Sequence, residues 1–347
     1  MNKKIITLSI AFATLATVAP GALAQSANPV TLYGRIWVMA NSVKAVGGTT
    51  PLSTRTTLSD ESSYIGFRGT EDLGGGLKAA FQLESAAPPD AGAGTFGSRN
   101  SGVFLIGNFG TIFLGRWDSP FKLSALFVDP ASQNTIANQL SVINAGGFNR
   151  RENNTIQYWS PKIGGFSTRV MYGANEGRTA TANPSNVSVS LDYVSGGFRI
   201  NYANEKHKDQ RGNTITTGVT EKGQNLAGEF EVGSFTIGLL TQKFESTGRT
   251  DRKAYQAALT YTAGKNRFFV NFGKNKDGAV STAAQPESKL AAIGYNYSFS
   301  KRTTFMIRYA EVKNNAASSA NLSASELPTL SLGSDPKGFG AGLRHTF

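Results

Sequence analysis

Residues 30–43 read VTLYGRIWVMANSV, and the alternation within this stretch decides the fold. Val30, Leu32 and Val38 lie on one parity, whereas Thr31 and Arg35 lie on the other. Successive side chains of a β-strand point to opposite faces, so a period of two over about ten residues predicts a strand with one apolar and one polar face.

The same alternation recurs to the last residue and defines about 16 candidate strands, each near the nine to eleven residues that a tilted strand needs to cross a bilayer. Short connectors such as 72–76 and 195–197 alternate with long ones at about 44–60, 207–222 and 314–335. A soluble β-sandwich or β-solenoid does not usually alternate its connectors in this way. The pattern predicts an all-β fold: a closed antiparallel transmembrane barrel with short turns on one rim and long loops on the other.

The final segment, 338–347, reads GFGAGLRHTF and ends on an aromatic residue in mid-pattern. Phe339, Leu343 and Phe347 share one parity. We expect this strand to pair with the first strand, because an open sheet edge inside a bilayer would leave backbone polar groups without partners.

The longest interval between candidate strands is 119–151, which mixes apolar residues such as Phe121 and Leu126 with Asn, Gly and Arg. Loops of this length are uncommon in compact domains and are usually functional. We expect this loop to fold into the lumen of the barrel and to narrow it.

The first 24 residues have the features of an export signal. Lys3 and Lys4 precede an apolar run, and Ala22-Leu23-Ala24 is a small-x-small cleavage site. We expect residues 1–24 to be removed and residues 25–347 to form a single barrel domain. The remaining chain has no apolar run of about 20 residues, as a transmembrane helix would need, and no Cys for a disulfide framework.

Several motifs follow one another along the mature chain: VTLYG (30–34), GFRGTEDLGGGLKA (66–79), FQLE (81–84), GNFGT (107–111), LGR (114–116), NTIQY (154–158) and GLRHTF (342–347). Together they resemble the general porins of Gram-negative bacteria, in particular the proteobacterial group with 16 strands. The resemblance implies a homotrimer in the outer membrane, in contact with lipid and lipopolysaccharide. It also implies a water-filled channel for passive diffusion of ions and small hydrophilic solutes, with the third external loop, here 119–151, folded inward.

Two positions depart from the family pattern. Tyr64 and Gln157 stand where relatives usually or often have Arg on the basic wall of the pore. The resemblance therefore implies a throat that is less strongly basic than in those relatives.

Assigning the apolar parity to lipid places nine basic and four acidic side chains in the lumen. A positive interior raises the local anion concentration, so we expect a weak to moderate preference for anions. The alternative is that these charges are solvated rim residues with little effect. The basic set is Arg35, Arg68, Lys78, Arg169, Arg199, Arg267, Arg302, Arg308 and Arg344, and the acidic set is Glu84, Asp192, Glu229 and Glu231.

The inward loop contains one acid between 119 and 151, so it has little negative charge to set against a basic wall. The predicted constriction residues are Arg35, Arg68, Lys78, Tyr64 and Gln157 on the wall, with Asp129, Arg150 and Arg151 from the loop or its exit.

Arg116 lies on the outward parity, where a charge facing lipid tails is unfavourable near the midplane. The family resemblance implies contact with a neighbouring barrel's loop 87–98, whose acid is Asp90. A rim position at the lipid headgroups is the alternative.

Enzymatic and cofactor chemistry lack a recognisable constellation. The two His residues, His207 in the predicted loop 207–222 and His345 on the outward parity, are far apart in sequence. Neither forms a defensible triad, and no Cys is present, so we expect no catalytic, cofactor or metal site. Basic residues are spread over many strands, which does not favour nucleic-acid binding.

Two other functions remain open on the same barrel. A substrate-selective channel could use Tyr64, Trp37 and Trp159 as a contact surface on the lumen parity. A surface adhesin would use the long loops, whose Asn/Ser/Gly-rich sequences are not distinctive.

Overall fold

A computed structural model describes residues 30–92, 94–132, 134–143, 147–278, 285–323 and 327–347. Within these ranges the strands form one antiparallel sheet that closes through pairing of the first and last strands. The strands are β1 (Thr31–Gly47), β2 (Leu52–Asp60), β3 (Tyr64–Gly74), β4 (Leu77–Ala86), β5 (Ser101–Gly107), β6 (Gly110–Asp118), β7 (Arg151–Trp159), β8 (Phe166–Gly173), β9 (Ser185–Ser195), β10 (Phe198–Arg211), β11 (Thr214–Val232), β12 (Phe235–Ser246), β13 (Arg252–Ala263), β14 (Asn266–Asp277), β15 (Glu287–Ser298), β16 (Thr303–Asn314) and β17 (Ser334–Thr346). Helices α1 (Pro120–Leu126) and α2 (Leu140–Ile143) lie between β6 and β7.

The closed 16-stranded barrel predicted from the sequence is confirmed, because β2 and β3 are two halves of one barrel strand. β1 pairs with both halves. Between them Ser62 adopts φ 65°, and the chain bulges around Trp37. The carbonyl of Trp37 accepts a hydrogen bond from Glu61 N at 2.9 Å, and its amide donates to Ser63 Oγ at 2.8 Å. Both backbone groups of Trp37 are therefore hydrogen-bonded despite the break in the strand.

The barrel closes without an open edge. β1 and β17 pair in register from Arg35 opposite Thr346 to Gly47 opposite Ser334. Gly34 and Phe347 then exchange two backbone hydrogen bonds of 3.1 and 3.0 Å. The terminal strand forms the closing contact that its sequence predicted.

The two parities face opposite sides of the sheet, as expected. Apolar side chains such as Leu239, Phe272 and Ile293 are more than half exposed on the outer surface. Their chain neighbours Leu240 and Asn271 are buried inside. Since a lipid-facing surface is exposed in an isolated chain, this distribution is that of a membrane barrel.

The segment between β6 and β7 folds into the lumen, which confirms the inward loop. Ser119 caps α1 by accepting a hydrogen bond from Lys122 N at 3.1 Å, and Pro120 occupies the first helical turn. α1 packs against β8 to β11, and α2 packs against β13 to β15. Neither helix is long and apolar enough to cross a membrane.

The loop is attached to the wall mainly through its own backbone carbonyls. Gln256 Nε2 donates to Val128 O at 3.2 Å, and Asn271 Nδ2 donates to Ala137 O at 3.3 Å. A buried apolar cluster fills the space between the loop and the wall, including Val128, Ala131, Ile136, Val142, Leu240, Phe269 and Leu290. The wall formed by β17, β1, β3 and β4 lies across the lumen from this packed side.

Several predicted connector bounds are wrong. The predicted loop 44–60 contains β2 and the end of β1, and the predicted loop 207–222 lies almost entirely in β10 and β11. These strands extend beyond the length needed to cross a bilayer, and the polar residues that suggested a loop are tolerated where the strand pair rises above the lipid. The long connector between β16 and β17 is present between Asn314 and Ser334. The predicted signal peptide, residues 1–24, lies outside the described residues and stays a prediction.

Gly342 is required for close approach of β17 to β1. A Cβ at this position would lie 2.2 Å from Val38 O and 2.6 Å from the Met39 side chain. Overpacking of this kind costs about 1–3 kcal/mol, so Gly342→Ala is expected to lower the unfolding temperature of the detergent-solubilised barrel, measured by its heat-dependent gel mobility. Gly228→Ala is the matched control, because a Cβ there would contact only Arg199 O at 3.8 Å. Equal stability of the two variants would contradict the close approach.

Gln256 is expected to hold the inward loop in place. Its Nε2 donates to both Val128 O and Asn271 Oδ1, the latter at 2.8 Å. Gln256→Leu leaves buried acceptors without a donor, at a cost of roughly 1–3 kcal/mol, and should increase open-channel current noise in single-channel recordings as the loop loosens. Gln242→Leu is the control, because within the described residues Gln242 makes no hydrogen bond to the loop. Unchanged noise in Gln256→Leu would show that the loop is held by other contacts.

Candidate functional site

Arginine and aromatic side chains alternate along the wall that faces the inward loop. The guanidinium carbons of Arg344 and Arg35 lie 5.4 and 5.1 Å from the Trp37 ring centre. Arg35 and Arg99 lie 5.1 and 4.9 Å from the Tyr64 ring centre. Each ring therefore contacts two guanidinium groups and attracts both.

A parallel contact extends this arrangement toward the short-turn rim. Arg68 lies 4.9 Å from the ring centre of Tyr33, and the Tyr33 and Tyr64 rings meet edge to face at 6.0 Å. We call Arg35, Arg68, Arg99 and Arg344 the basic wall. All four retain some solvent exposure, so their charges act on the water-filled lumen.

One carboxylate is bound within the basic wall. Glu84 forms an ion pair with Arg99 Nε at 2.5 Å and accepts a hydrogen bond from Tyr33 Oη at 3.3 Å. Glu84 neutralises part of the charge of Arg99, and the wall keeps a net positive charge.

The loop reaches the basic wall at the break between β2 and β3. Ser62 Oγ donates to Asn134 Oδ1 at 2.8 Å, and the Ser62 carbonyl accepts from Arg35 Nη2 at 2.9 Å and Nε at 3.3 Å. The strand break thus holds both a loop residue and the Arg35 guanidinium.

Asp129, the acid that the sequence placed at the throat, is buried in the loop. Its Oδ1 accepts a hydrogen bond from Ala131 N at 3.0 Å, and its side chain is 5% exposed. Asp129 also acts electrostatically on Arg267 and Arg308, so its charge is set against nearby guanidinium groups on the packed side.

Two lumen-side arginines hold the loop, and a third is buried in the wall. Arg267 Nη1 donates to Pro130 O at 2.9 Å, and Arg199 lies 3.9 Å from the ring centre of Phe127. Arg308 is 1% exposed and donates to Tyr295 O at 3.0 Å. These charges are used in packing, unlike those of the basic wall.

The predicted loop arginines lie at the exit of the loop. Arg151 Nε lies 2.7 Å from Asn100 Oδ1 and 3.5 Å from Asp118 Oδ1. Asp118 also pairs with Lys122 at 2.7 Å, and burial lowers the pKa of the Lys122 ammonium against the opposing effect of this carboxylate. Arg150 pairs with Glu152 and lies away from the basic wall.

Lys78 and Gln157 do not join the basic wall. Lys78 lies opposite Asp72 in the backbone register of β3 and β4, next to the short turn between these strands. Gln157 is buried, and its Oε1 accepts from Trp159 Nε1 at 2.9 Å. Trp159 belongs to a separate aromatic cluster with Phe104, Phe113 and Trp117, so of the three proposed contact aromatics only Trp37 and Tyr64 lie together.

Sequence reasoning omitted Arg99 and Arg344 from the predicted constriction. Arg344 had been placed in the lumen by parity, and its pairing with Trp37 across the β1–β17 closure brings it to the wall. Arg99 begins the predicted strand 99–108 on the parity of the outward-facing Val103, but in the structure it precedes β5, which begins at Ser101. Its position is decided by Glu84 and Tyr64, which are distant in sequence.

Arg116 and Asp90 both have partners within their own chain. Arg116 Nε donates to Ser98 O at 3.0 Å, and its Nη1 donates to Asn153 Oδ1. Asp90 Oδ2 accepts from Asp60 N at 2.9 Å. Both lie toward the long-loop rim.

The prediction that His207 lies in a loop is wrong. His207 lies on β10 and is fully buried, with Nε2 2.7 Å from Glu205 Oε1. Glu205 is two residues away on the same face of the strand, which is a spacing that could have been recognised. Glu152 from β7 completes a group of three possible ligands whose atoms lie within 4.8 Å of one another, so the separation of the two His residues no longer argues against a metal site.

Comparisons with known proteins agree with this architecture. A family model described as Gram-negative porin matches residues 11–317. The major outer membrane protein P.IB of Neisseria gonorrhoeae is 28% identical over 335 residues, covering 88% of this chain and 92% of that protein. P.IA of Neisseria meningitidis is 29% identical over 311 residues, covering 75% of this chain and 78% of that protein.

Solved structures of other outer-membrane proteins share this barrel fold. An anion-selective porin from Comamonas acidovorans superposes with a TM-score of 0.80 at 26% identity, covering 92% of this chain and all of that chain. A trimer form of OmpT from Vibrio cholerae superposes with a TM-score of 0.67 at 18% identity, covering 93% of this chain and 100% of that chain, and shares the fold. A porin is a channel and not an enzyme, and the comparisons do not favour an adhesin or a solute-specific channel. With its closed barrel, its inward loop and a family match over most of its length, the chain belongs to the Gram-negative porins and is a channel protein of the outer membrane.

Proposed function

We propose that this porin allows passive diffusion of ions and small hydrophilic solutes with a preference for anions. The observation that carries the proposal is the basic wall at the narrowing, where Arg35, Arg68, Arg99 and Arg344 face the lumen with Glu84 as their bound carboxylate. Fixed positive charge in a narrow aqueous passage raises the local concentration of anions and lowers that of cations.

The opposite side of the narrowing offers little to attract cations. Asp129 is turned into the loop, and Asp118 is paired with Lys122 and Arg151 at the loop base. Many porins set loop carboxylates against a basic wall and thereby create a transverse field. Here the basic wall acts without a matching acidic loop, and the selectivity of the C. acidovorans relative supports the same sign of preference.

The replacement of a family Arg by Tyr64 does not remove the positive potential. Tyr64 is the ring between Arg35 and Arg99, at 5.1 and 4.9 Å from their guanidinium carbons. Arg99 therefore supplies charge beside the position from which the expected Arg is missing. Of the sequence-predicted constriction residues, we retain Arg35, Arg68 and Tyr64 at the narrowing and place Lys78, Arg150 and Arg151 outside it.

Reversal potentials in KCl gradients across planar bilayers test the preference. Removing one charge about 7 Å from the ion path changes the ion's energy by roughly 0.6 kcal/mol at the dielectric constant of water. The change has opposite sign for Cl⁻ and K⁺, so the two effects on the permeability ratio add to about 1.2 kcal/mol. Arg35→Gln should therefore lower the chloride-to-potassium permeability ratio by up to roughly sevenfold at low salt, and by less at high salt, where screening is stronger.

Lys265→Gln is the matched control for that measurement. It removes the same charge from the short turn between β13 and β14, away from the basic wall. Cation selectivity of the unmodified protein would overturn the proposed preference, and equal effects of the two substitutions would remove Arg35 from the constriction.

We also propose that the chain assembles as a homotrimer, with lipid and lipopolysaccharide covering the remaining apolar outer surface. Porins are generally trimeric, and within the described residues Arg116 Nη2 and Asp90 Oδ1 make no hydrogen bond, so both are available to a neighbouring barrel. Their contact across the interface is part of this proposal.

Charge reversal tests that contact. Arg116→Glu should lower the temperature at which the trimer dissociates on a heated gel by a few degrees, since an exposed or half-exposed ion pair contributes about 1 kcal/mol or less. Lys162→Glu, at the short-turn rim, controls for the change in net charge. An unchanged dissociation temperature would assign Arg116 to the rim beside the lipid headgroups.

A further inference from the structure

A buried group of carboxylates surrounds one imidazole at the long-loop end of the lumen wall. His207 and Glu205 lie on β10, and Glu221 lies opposite His207 on β11. Glu152 comes from the start of β7, directly after the inward loop. The ligand atoms of Glu152, Glu205 and His207 lie within 4.8 Å of one another, and all three side chains are buried.

Two polar atoms in this group have no hydrogen-bond partner among the described residues. Glu205 Oε2 and His207 Nδ1 are both fully buried, on side chains that are 0% exposed. Glu221 Oε2 lies 3.9 Å from His207 Nδ1, which exceeds hydrogen-bonding distance. Buried polar atoms are normally paired, so the unpaired Glu205 Oε2 needs an explanation such as an absent ion. His207 Nδ1 faces Glu221 and can carry the ring proton when Nε2 binds an ion.

The charges within the group do not balance. Glu152, Glu205 and Glu221 bring three carboxylates to the ring, and Arg150 pairs with one of them, Glu152. Buried charge without compensation is costly, and the usual solution is pairing or metal coordination. The deficit of positive charge is notable in a chain whose formal charge is +12.

We propose that Glu152, Glu205 and His207 form a binding site for a divalent first-row transition-metal ion such as Zn²⁺. One imidazole nitrogen and two carboxylate oxygens form a three-ligand set that such ions accept, with water in the open position. The mixed nitrogen and oxygen donors disfavour Ca²⁺, which takes six to eight oxygen ligands.

The present geometry needs a small adjustment to accept the ion. His207 Nε2 and Glu205 Oε1 lie 2.7 Å apart and share a hydrogen. Two ligands bound tetrahedrally at about 2.05 Å lie roughly 3.3 Å apart, so the ion replaces this hydrogen as the side chains separate by less than about 1 Å. Glu152 keeps its bonds to Arg150 and to Asn186, the latter at 2.7 Å, because each carboxylate oxygen has more than one acceptor position.

The site joins the loop exit to the barrel wall. Phe148, in the last part of the inward loop, stacks on the His207 ring at 4.5 Å and 15°. Glu152 follows four residues later and would coordinate the same ion as β10. A cavity of about 520 Å³ borders Glu152, the outermost of the three ligands, and is also lined by Arg150 and Arg151.

Titration of the folded, chelator-treated protein in detergent with ZnCl₂ tests the site. Calorimetry should give one ion per chain with a Kd below about 10 μM, and CaCl₂ should bind at least roughly tenfold more weakly. His207→Gln should weaken Zn²⁺ binding by more than about tenfold, the lower limit for losing even a supporting residue. Zn²⁺ should also raise the unfolding temperature of the unmodified protein and not that of His207→Gln.

His345→Gln is the matched control, since it removes the other His, whose Nδ1 lies 2.9 Å from Thr303 Oγ1 on the outer face. It should bind Zn²⁺ like the unmodified protein. Equal binding by His207→Gln, or equal affinities for Zn²⁺ and Ca²⁺, would overturn the proposal.

A second measurement needs no variant. Co²⁺ added to the unmodified protein should give visible absorption bands of a low-coordinate nitrogen and oxygen site, and Zn²⁺ should abolish them at one equivalent. Absence of these bands, or of stoichiometric Zn²⁺ binding, would overturn the proposal whether or not His207→Gln folds.

Discussion

Backbone hydrogen bonding inside a bilayer is the constraint on which the rest of this structure depends. Without water to satisfy its polar groups, the sheet has to close on itself, and β17 pairs with β1 along nearly the whole of both strands. Close approach at Gly342 and the paired bonds of Gly34 with Phe347 are local consequences of that closure. The interruption between β2 and β3 obeys the same rule, because Glu61 and Ser63 satisfy the backbone of Trp37.

The interruption between β2 and β3 also positions a residue of the functional site. By turning the carbonyl of Ser62 toward Arg35, it fixes a guanidinium group where the inward loop reaches the wall. A break in a regular strand is tolerated here because it faces a water-filled lumen and not lipid. Ser62 thus links the strand break, the position of the loop and the charge of the pore wall.

Arginines in the lumen have two physical roles that depend on where the loop lies. On the packed side, Arg267 and Arg199 contact the loop at Pro130 and Phe127, so their charges help to hold it. On the open side, Trp37 and Tyr64 separate the guanidinium groups of Arg344, Arg35 and Arg99. Attraction to the ring faces offsets repulsion between like charges and keeps them close together at the lumen surface.

The sequence by itself determined the barrel, its closure by the last strand, the presence of an inward loop and the faces of residues such as Arg35, Arg68 and Arg344, because these follow from a period of two and from connector length. Only the tertiary structure decided which of those residues meet. An ion pair with Glu84 holds Arg99 beside Tyr64. Asp129 accepts a hydrogen bond from the backbone of its own loop, and Glu152 lies close to His207 although the two residues are on different strands. The reason is that parity gives the face of a side chain but not its height, which depends on strand tilt, on the bulge at Ser62 and on the register of strands far apart in sequence.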